Sequence, residues 1–158
     1  MQWKDKTRTT SSTPKPIVRD TLQAMLIASV GTKMFQHVYV KVEGKQKDVM
    51  QKGELSCAFY VSSMLSMFGL IDKSHATVRT TEKKLMEHGW KRARTFKFGN
   101  VLIWDATRQS DGHQHIGFYL GNQKAISNSS MKKVPHIHHV TYQRKRPVLR
   151  MYCHDALK

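Results

Sequence analysis

The sequence predicts an α+β domain in which helices come first and an antiparallel sheet follows. Three observations carry this reading. In the first half, apolar residues recur at helical spacing, as in Ile17, Leu22, Met25, Leu26 and Val30. In the second half they gather in short runs rich in β-branched and aromatic residues, such as Val101-Leu102-Ile103-Trp104 and Ile116-Gly117-Phe118-Tyr119-Leu120. After the latter run stands Gly121-Asn122, a signal for a tight hairpin.

Residues 1–15 are basic, rich in Ser and Thr and almost free of aliphatic side chains. They cannot offset the entropy of ordering, so they are expected to form a flexible basic arm ahead of a single domain over residues 16–158. Pro16 suits a first helical turn and Gly31 a stop, which frames the first helix. Residues 35–42 read as a short strand or an irregular lead-in, and residues 45–52 as a polar connection. A second helix is predicted over 56–68, apolar almost all round and therefore buried, with Gly69 as its terminator. A third, over 80–88, has only the narrow face of Leu85 and Met86 and is expected at the surface. Strands follow at 101–104, 116–120, 124–127 and 148–153, with 139–142 extending a further one. Asp111-Gly112 marks another turn.

A chain of 158 residues is large enough for one domain with a real core. Its two cysteines, Cys57 and Cys153, are too few for a disulfide-stapled scaffold, although one bridge between them is feasible. No long apolar run and no apolar export signal are visible, so a soluble chain without a transmembrane segment is expected. The formal charge of +16, from 27 Lys+Arg against 11 Asp+Glu, raises the local concentration of polyanions around the protein. Charge alone does not choose between nucleic acid, anionic cell-wall polymers and lipid head groups.

Cys57 falls at the start of the second helix. There, unpaired N–H groups and the positive end of the macrodipole favour a thiolate, and the Cys57 N–H can face a developing oxyanion. His115 precedes the apolar run 116–120 and supplies an imidazole able to take the thiol proton and return it to a leaving amine. Against this, a cysteine on a buried helix is more often a small core residue, and nine histidines leave room for coincidence.

The order of a helix-initial Cys57, the strand Gly99-Asn100-Val101-Leu102-Ile103-Trp104, and the block His115-Ile116-Gly117-Phe118-Tyr119-Leu120-Gly121-Asn122 resembles the NlpC-type cell-wall peptidases and their CHAP amidase relatives. Both are papain-like. The resemblance covers about residues 54–128. It implies a nucleophile helix packed on an antiparallel sheet, Cys57 as nucleophile, His115 as base and no cofactor. The implied substrate is an amide bond in peptidoglycan peptides or at the sugar–peptide linkage. The compartment stays open: with no export signal visible, the options are the cytoplasm or the cell wall after non-classical release. The chain departs from the family pattern at Ser56-Cys57-Ala58, where Asp-Cys-Ser-Gly is usual, and at Phe98-Gly99-Asn100, where Pro-Gly-Asp is usual.

The resemblance further implies a third polar residue that orients His115 from the strand after the hairpin. A direct register puts Ser127 there. Asn128 is the better chemical candidate, because its amide oxygen can accept from the imidazole, and a β-bulge at residues 126–128 would turn it inward. Asn128 is accordingly the expected third residue, with Ser127 as the alternative.

Two other readings compete. His136, His138 and His139, joined in space by His113, His115, Cys153 and His154, offer zinc ligands, but their spacing fits no standard finger and Cys57 would have no role. The runs Lys91-Arg92-Ala93-Arg94 and Arg144-Lys145-Arg146, with Tyr142 and Trp90 nearby, offer a non-catalytic module that binds nucleic acid or another anionic polymer. Neither run belongs to a recognisable reading motif.

Overall fold

The structure, a computed structural model, describes residues 13–108 and 112–158. Most of the expected basic arm, residues 1–12, lies outside the described residues, as does Asp111 of the Asp111-Gly112 turn.

The fold is α+β. Helices α1 (Val18–Ala28), α2 (Cys57–Ser66) and α3 (Val78–Glu87) precede most of the sheet. That sheet is built from β3 (Lys91–Arg92), β4 (Val101–Trp104), β5 (His115–Gly121), β6 (Lys124–Asn128), β7 (Pro135–His139) and β8 (Val148–Cys153). Its order is β3-β8-β4-β5-β6-β7, antiparallel throughout. Ahead of α2, β1 (Tyr39–Val42) and β2 (Lys45–Asp48) form a separate antiparallel hairpin.

Three local readings are corrected. The supposed polar connection at 45–52 contains β2, which shows no apolar alternation because its residues are mostly exposed. This hairpin is held at its base by Asp48, whose carboxylate accepts from the N–H groups of Val38, Met50 and Lys52 and contacts His37. The strand expected at 139–142 ends at His139 instead, and Tyr142, Gln143 and Arg144 all take positive φ in a turn. The third helix starts earlier than predicted, because Thr77 caps it by accepting from the Thr80 N–H at 3.1 Å.

The core forms where α2 packs on β5 and β6. Strand alternation sorts the residues to two sides. Val101, Ile103, Ile116, Phe118 and Ile126 meet Tyr60, Val61 and Leu65 of α2. Leu102, Trp104 and Ala125 belong to a second cluster, with Val140 and the partly buried Tyr119 and Tyr142. The central strand β4 is thus buried on both faces, which explains its unbroken apolar run.

Candidate active site

Cys57 is the first residue of α2, as the sequence predicts. Ser56 stands at the N-cap without capping the helix, because its hydroxyl donates to the Phe35 carbonyl at 2.6 Å. First-turn N–H groups are therefore left to face the sulfur. The backbone N–H groups of Ile116, Ala58 and Cys57 itself act on Sγ, and they and the nearby Arg146 favour the thiolate. Burial nevertheless outweighs them and pushes the thiol above its ordinary range. The helix position that suggests a thiolate is thus overruled by desolvation, and the resting group is a thiol.

His115 opens β5, and the Ile116 N–H that reaches the sulfur is its immediate neighbour. Cys57 and His115 border one cleft of about 390 Å³, walled also by Thr77, Arg79, Gln114 and Arg146. The imidazole is buried, and burial together with the charge of Arg146 lowers its pKa from 6.5 to about 3. It is neutral at neutral pH, able to accept a proton and unable to form a resting ion pair with the thiol.

The residue that holds this imidazole is Ser127, with its Oγ 2.9 Å from His115 Nε2. This corrects the expectation placed on Asn128. Strand β6 pairs regularly with β7 through Asn128, so no bulge turns that side chain toward His115. The irregularity lies instead between Tyr119 and Gly121, beside a turn in which Asn122 and Gln123 both take positive φ. Asn128 is buried and donates through Nδ2 to the Gly53 carbonyl at 2.8 Å, tying the sheet to the 3-10 turn (Gln51–Gly53) that leads into Cys57.

Ser127 also meets His138 Nε2 at 2.8 Å and the Tyr142 hydroxyl at 3.3 Å. His138 and Tyr142 stack with ring centroids 4.0 Å apart, and Trp104 packs on His115, His138 and Tyr142. Gly117 makes this packing possible. A Cβ there would run into the Ile126 carbonyl and come within 2.8 Å of Ser127 Cβ and 3.0 Å of the Trp104 ring. The glycine of the His115-Ile116-Gly117 block thus keeps space for the group that supports His115.

Sequence reasoning left His138, Tyr142 and Arg146 without a catalytic place. The available signal was the alternation in Pro135-His136-Ile137-His138-His139, which puts His136 and His138 on the face shared with Ser127. Arg146 belongs to the charge run Arg144-Lys145-Arg146, offered above as part of a surface for an anionic polymer. Arg144 and Lys145 are exposed, whereas Arg146 turns inward to donate to the carbonyls of Asp105 and His113. The histidines considered as zinc ligands go separate ways: His138 to Ser127, His139 to Gln123 and Thr141, and His154 to the His88 carbonyl. Among the described residues, no group of three or more His, Cys, Asp or Glu is arranged to hold a metal ion. No described helix is long and apolar enough to cross a membrane.

No family model matches the chain, and no curated protein does so either. Among solved structures, the chain is similar to NlpC2 from Trichomonas vaginalis, with a TM-score of 0.54 and 12% sequence identity. The similarity covers 94% of this chain and 52% of that one, so the chain spans about half the length of its structural neighbour. At that identity the likeness is one of fold: the α+β arrangement with its antiparallel sheet is shared with an NlpC-type protein.

Proposed function

We propose that this chain is a papain-like cysteine hydrolase that cleaves an amide bond, with peptidoglycan peptides or the sugar–peptide amide as its substrate class. The observation that supports this most is the placement of Cys57 and His115 on one cleft, with the imidazole held from behind by Ser127. Because burial keeps both groups neutral at rest, the sulfur becomes a nucleophile as it attacks. The Sγ–H proton passes to His115 while Sγ bonds to the amide carbon. The imidazolium then protonates the departing amine, leaving a thioester. Water attacks the thioester with His115 again as base, releasing the acid and restoring the thiol. First-turn N–H groups of α2 face the oxygen on which charge develops. A charge of +16 suits approach to an anionic cell wall.

The test is incubation of purified cell-wall fragments with the wild type and with Cys57→Ser, followed by mass analysis. Products carrying one added water across an amide, formed only by the wild type, are expected. Full activity of Cys57→Ser would overturn the reading.

The formal charge of +16 favours a second reading, a basic binding module on the same fold without catalysis. That reading requires binding to an anionic polymer that weakens steeply with salt and persists in Cys57→Ser, with no bond cleaved.

A further inference from the structure

His138 reaches Ser127 from the far side of the His115 contact, and the chemistry of each partner fixes the direction of every hydrogen bond between them. His138 Nδ1 lies 2.9 Å from the His139 carbonyl oxygen. A carbonyl only accepts, so Nδ1 carries the proton. The ring is neutral at neutral pH, because burial lowers its pKa to about 4. Its Nε2 is therefore a bare acceptor. Ser127 has one hydroxyl proton and two lone pairs. The proton goes to His138 Nε2 at 2.8 Å, and the lone pairs are left for His115 Nε2 at 2.9 Å and the Tyr142 hydroxyl at 3.3 Å. His115 Nε2 must then carry a hydrogen, and in a neutral ring this leaves Nδ1 as the basic nitrogen.

We propose that His138 is a positioning residue which, by claiming the hydroxyl proton of Ser127, holds His115 in the Nε2–H tautomer and so keeps Nδ1 free to accept the proton of Cys57. Without an acceptor at position 138, the Ser127 proton is free to turn toward His115 Nε2. That contact stabilises the opposite tautomer, with the hydrogen on Nδ1, where the thiol proton has to go. Serine in this place is otherwise an ambiguous partner, since a hydroxyl donates as readily as it accepts. The His138 ring removes the ambiguity, and the His139 carbonyl fixes the ring.

The same chain predicts an acid limit. Protonated His138 would donate from Nε2 to Ser127 and drive the Ser127 proton toward His115, reversing the relay. The groups facing His138 are Tyr142 stacked on it, His136 beside it on the same strand, His139 next in sequence, Arg146 across the cleft side and His115 through Ser127. Arg146, His136 and His139 all oppose a further positive charge on the ring.

The kinetic part of this inference rests on the proposed hydrolase activity, so the deciding experiment is independent of turnover: nitrogen-15 NMR of the histidine side chains in the full chain at neutral pH. The wild type should show His115 protonated at Nε2. In His138→Phe the Nδ1–H form should become populated, and in His138→Gln, whose amide oxygen can accept from Ser127, the wild-type tautomer should return. In an assay with cell-wall fragments, His138→Phe should lower kcat about tenfold or more with KM within about twofold, and His138→Gln should recover most of it. In a Ser127→Ala background, His138→Phe should have no additional effect on kcat. The acid limb of the kcat profile should move to lower pH in His138→Gln. A wild-type His115 already protonated at Nδ1, or a tautomer unchanged in a folded His138→Phe, would overturn the inference even if the enzyme is active. Tautomers that behave as stated in a protein that cleaves nothing would instead count against the hydrolase reading alone.

Discussion

Ser127 and His115 stand on neighbouring strands with Ser127 Oγ 2.9 Å from His115 Nε2, so the hydroxyl occupies that nitrogen and leaves Nδ1 as the one it does not touch. Removing it in Ser127→Ala should reduce turnover of cell-wall fragments by about tenfold to a hundredfold, at or below the lower end of what a placed general base contributes, because the His115 ring itself remains. KM should change little, because the hydroxyl lies behind the imidazole. Steady-state kinetics on the folded variant check this, and an unaltered kcat would remove Ser127 from the site.

Asn128 should behave differently from its neighbour. Its amide donates to the Gly53 carbonyl, while its Oδ1 is buried without a hydrogen-bond partner. Asn128→Ala leaves the Gly53 carbonyl unpaired and should cost about 1–3 kcal/mol of stability, read from urea denaturation. The His115 tautomer should stay as in the wild type. A lost tautomer with unchanged stability would return Asn128 to the imidazole.

Gly117→Ala tests the packing that supports the relay. The added methyl would overlap the Ile126 carbonyl and crowd Ser127 Cβ and Trp104. Overpacking of this kind should cost about 1–3 kcal/mol and disturb Ser127 in the process. Denaturation and histidine NMR read the two effects separately, and a neutral substitution would show that the space is not needed.

Stability should fall on acidification below the ordinary histidine range. His115 and His138 titrate near 3 and 4 in the folded chain, against 6.5 when unperturbed. Between those values the unfolded chain binds more protons, so the stabilisation present above 6.5 is lost as pH falls toward the folded values. The urea midpoint should be lower at about pH 5 than at about pH 7, and His138→Gln should flatten this slope. A midpoint that does not drop would mean that the two rings are charged when folded.

Cys57 should resist alkylation in the native state at neutral pH, because burial holds its thiol above the ordinary range. Iodoacetamide should modify it more slowly in the folded protein than in the unfolded one, and the alkylated protein should be inactive toward cell-wall fragments. Rapid native labelling at neutral pH would indicate a preformed thiolate and exclude the neutral resting pair.

Much of the scaffold was legible because it rests on periodicity. The near-continuous apolar character of residues 56–68 marked α2 and its burial, and the runs at 101–104 and 116–120 marked the central strands. Strand β2 escaped notice, although β1 falls within the strand or lead-in read at 35–42, because an exposed, Lys-rich strand has no buried face to impose alternation. Its order comes from Asp48 gathering three backbone N–H groups, which no spacing rule announces.

By itself the sequence determined the α+β class, the place of Cys57 at a helix start and that of His115 at a strand start, because helical and strand periods are local properties of the chain. Only the tertiary structure decided the rest. Which of Ser127 and Asn128 meets the imidazole depends on where the sheet is irregular, and that irregularity fell beside the Asn122-Gln123 turn instead of at Asn128. Whether Cys57 rests as a thiol or a thiolate depends on a balance between burial and surrounding dipoles. That His138 stands behind Ser127 follows from the pairing of β7 with β6, a contact between residues far enough apart that neither hydrophobic period nor motif spacing encodes it.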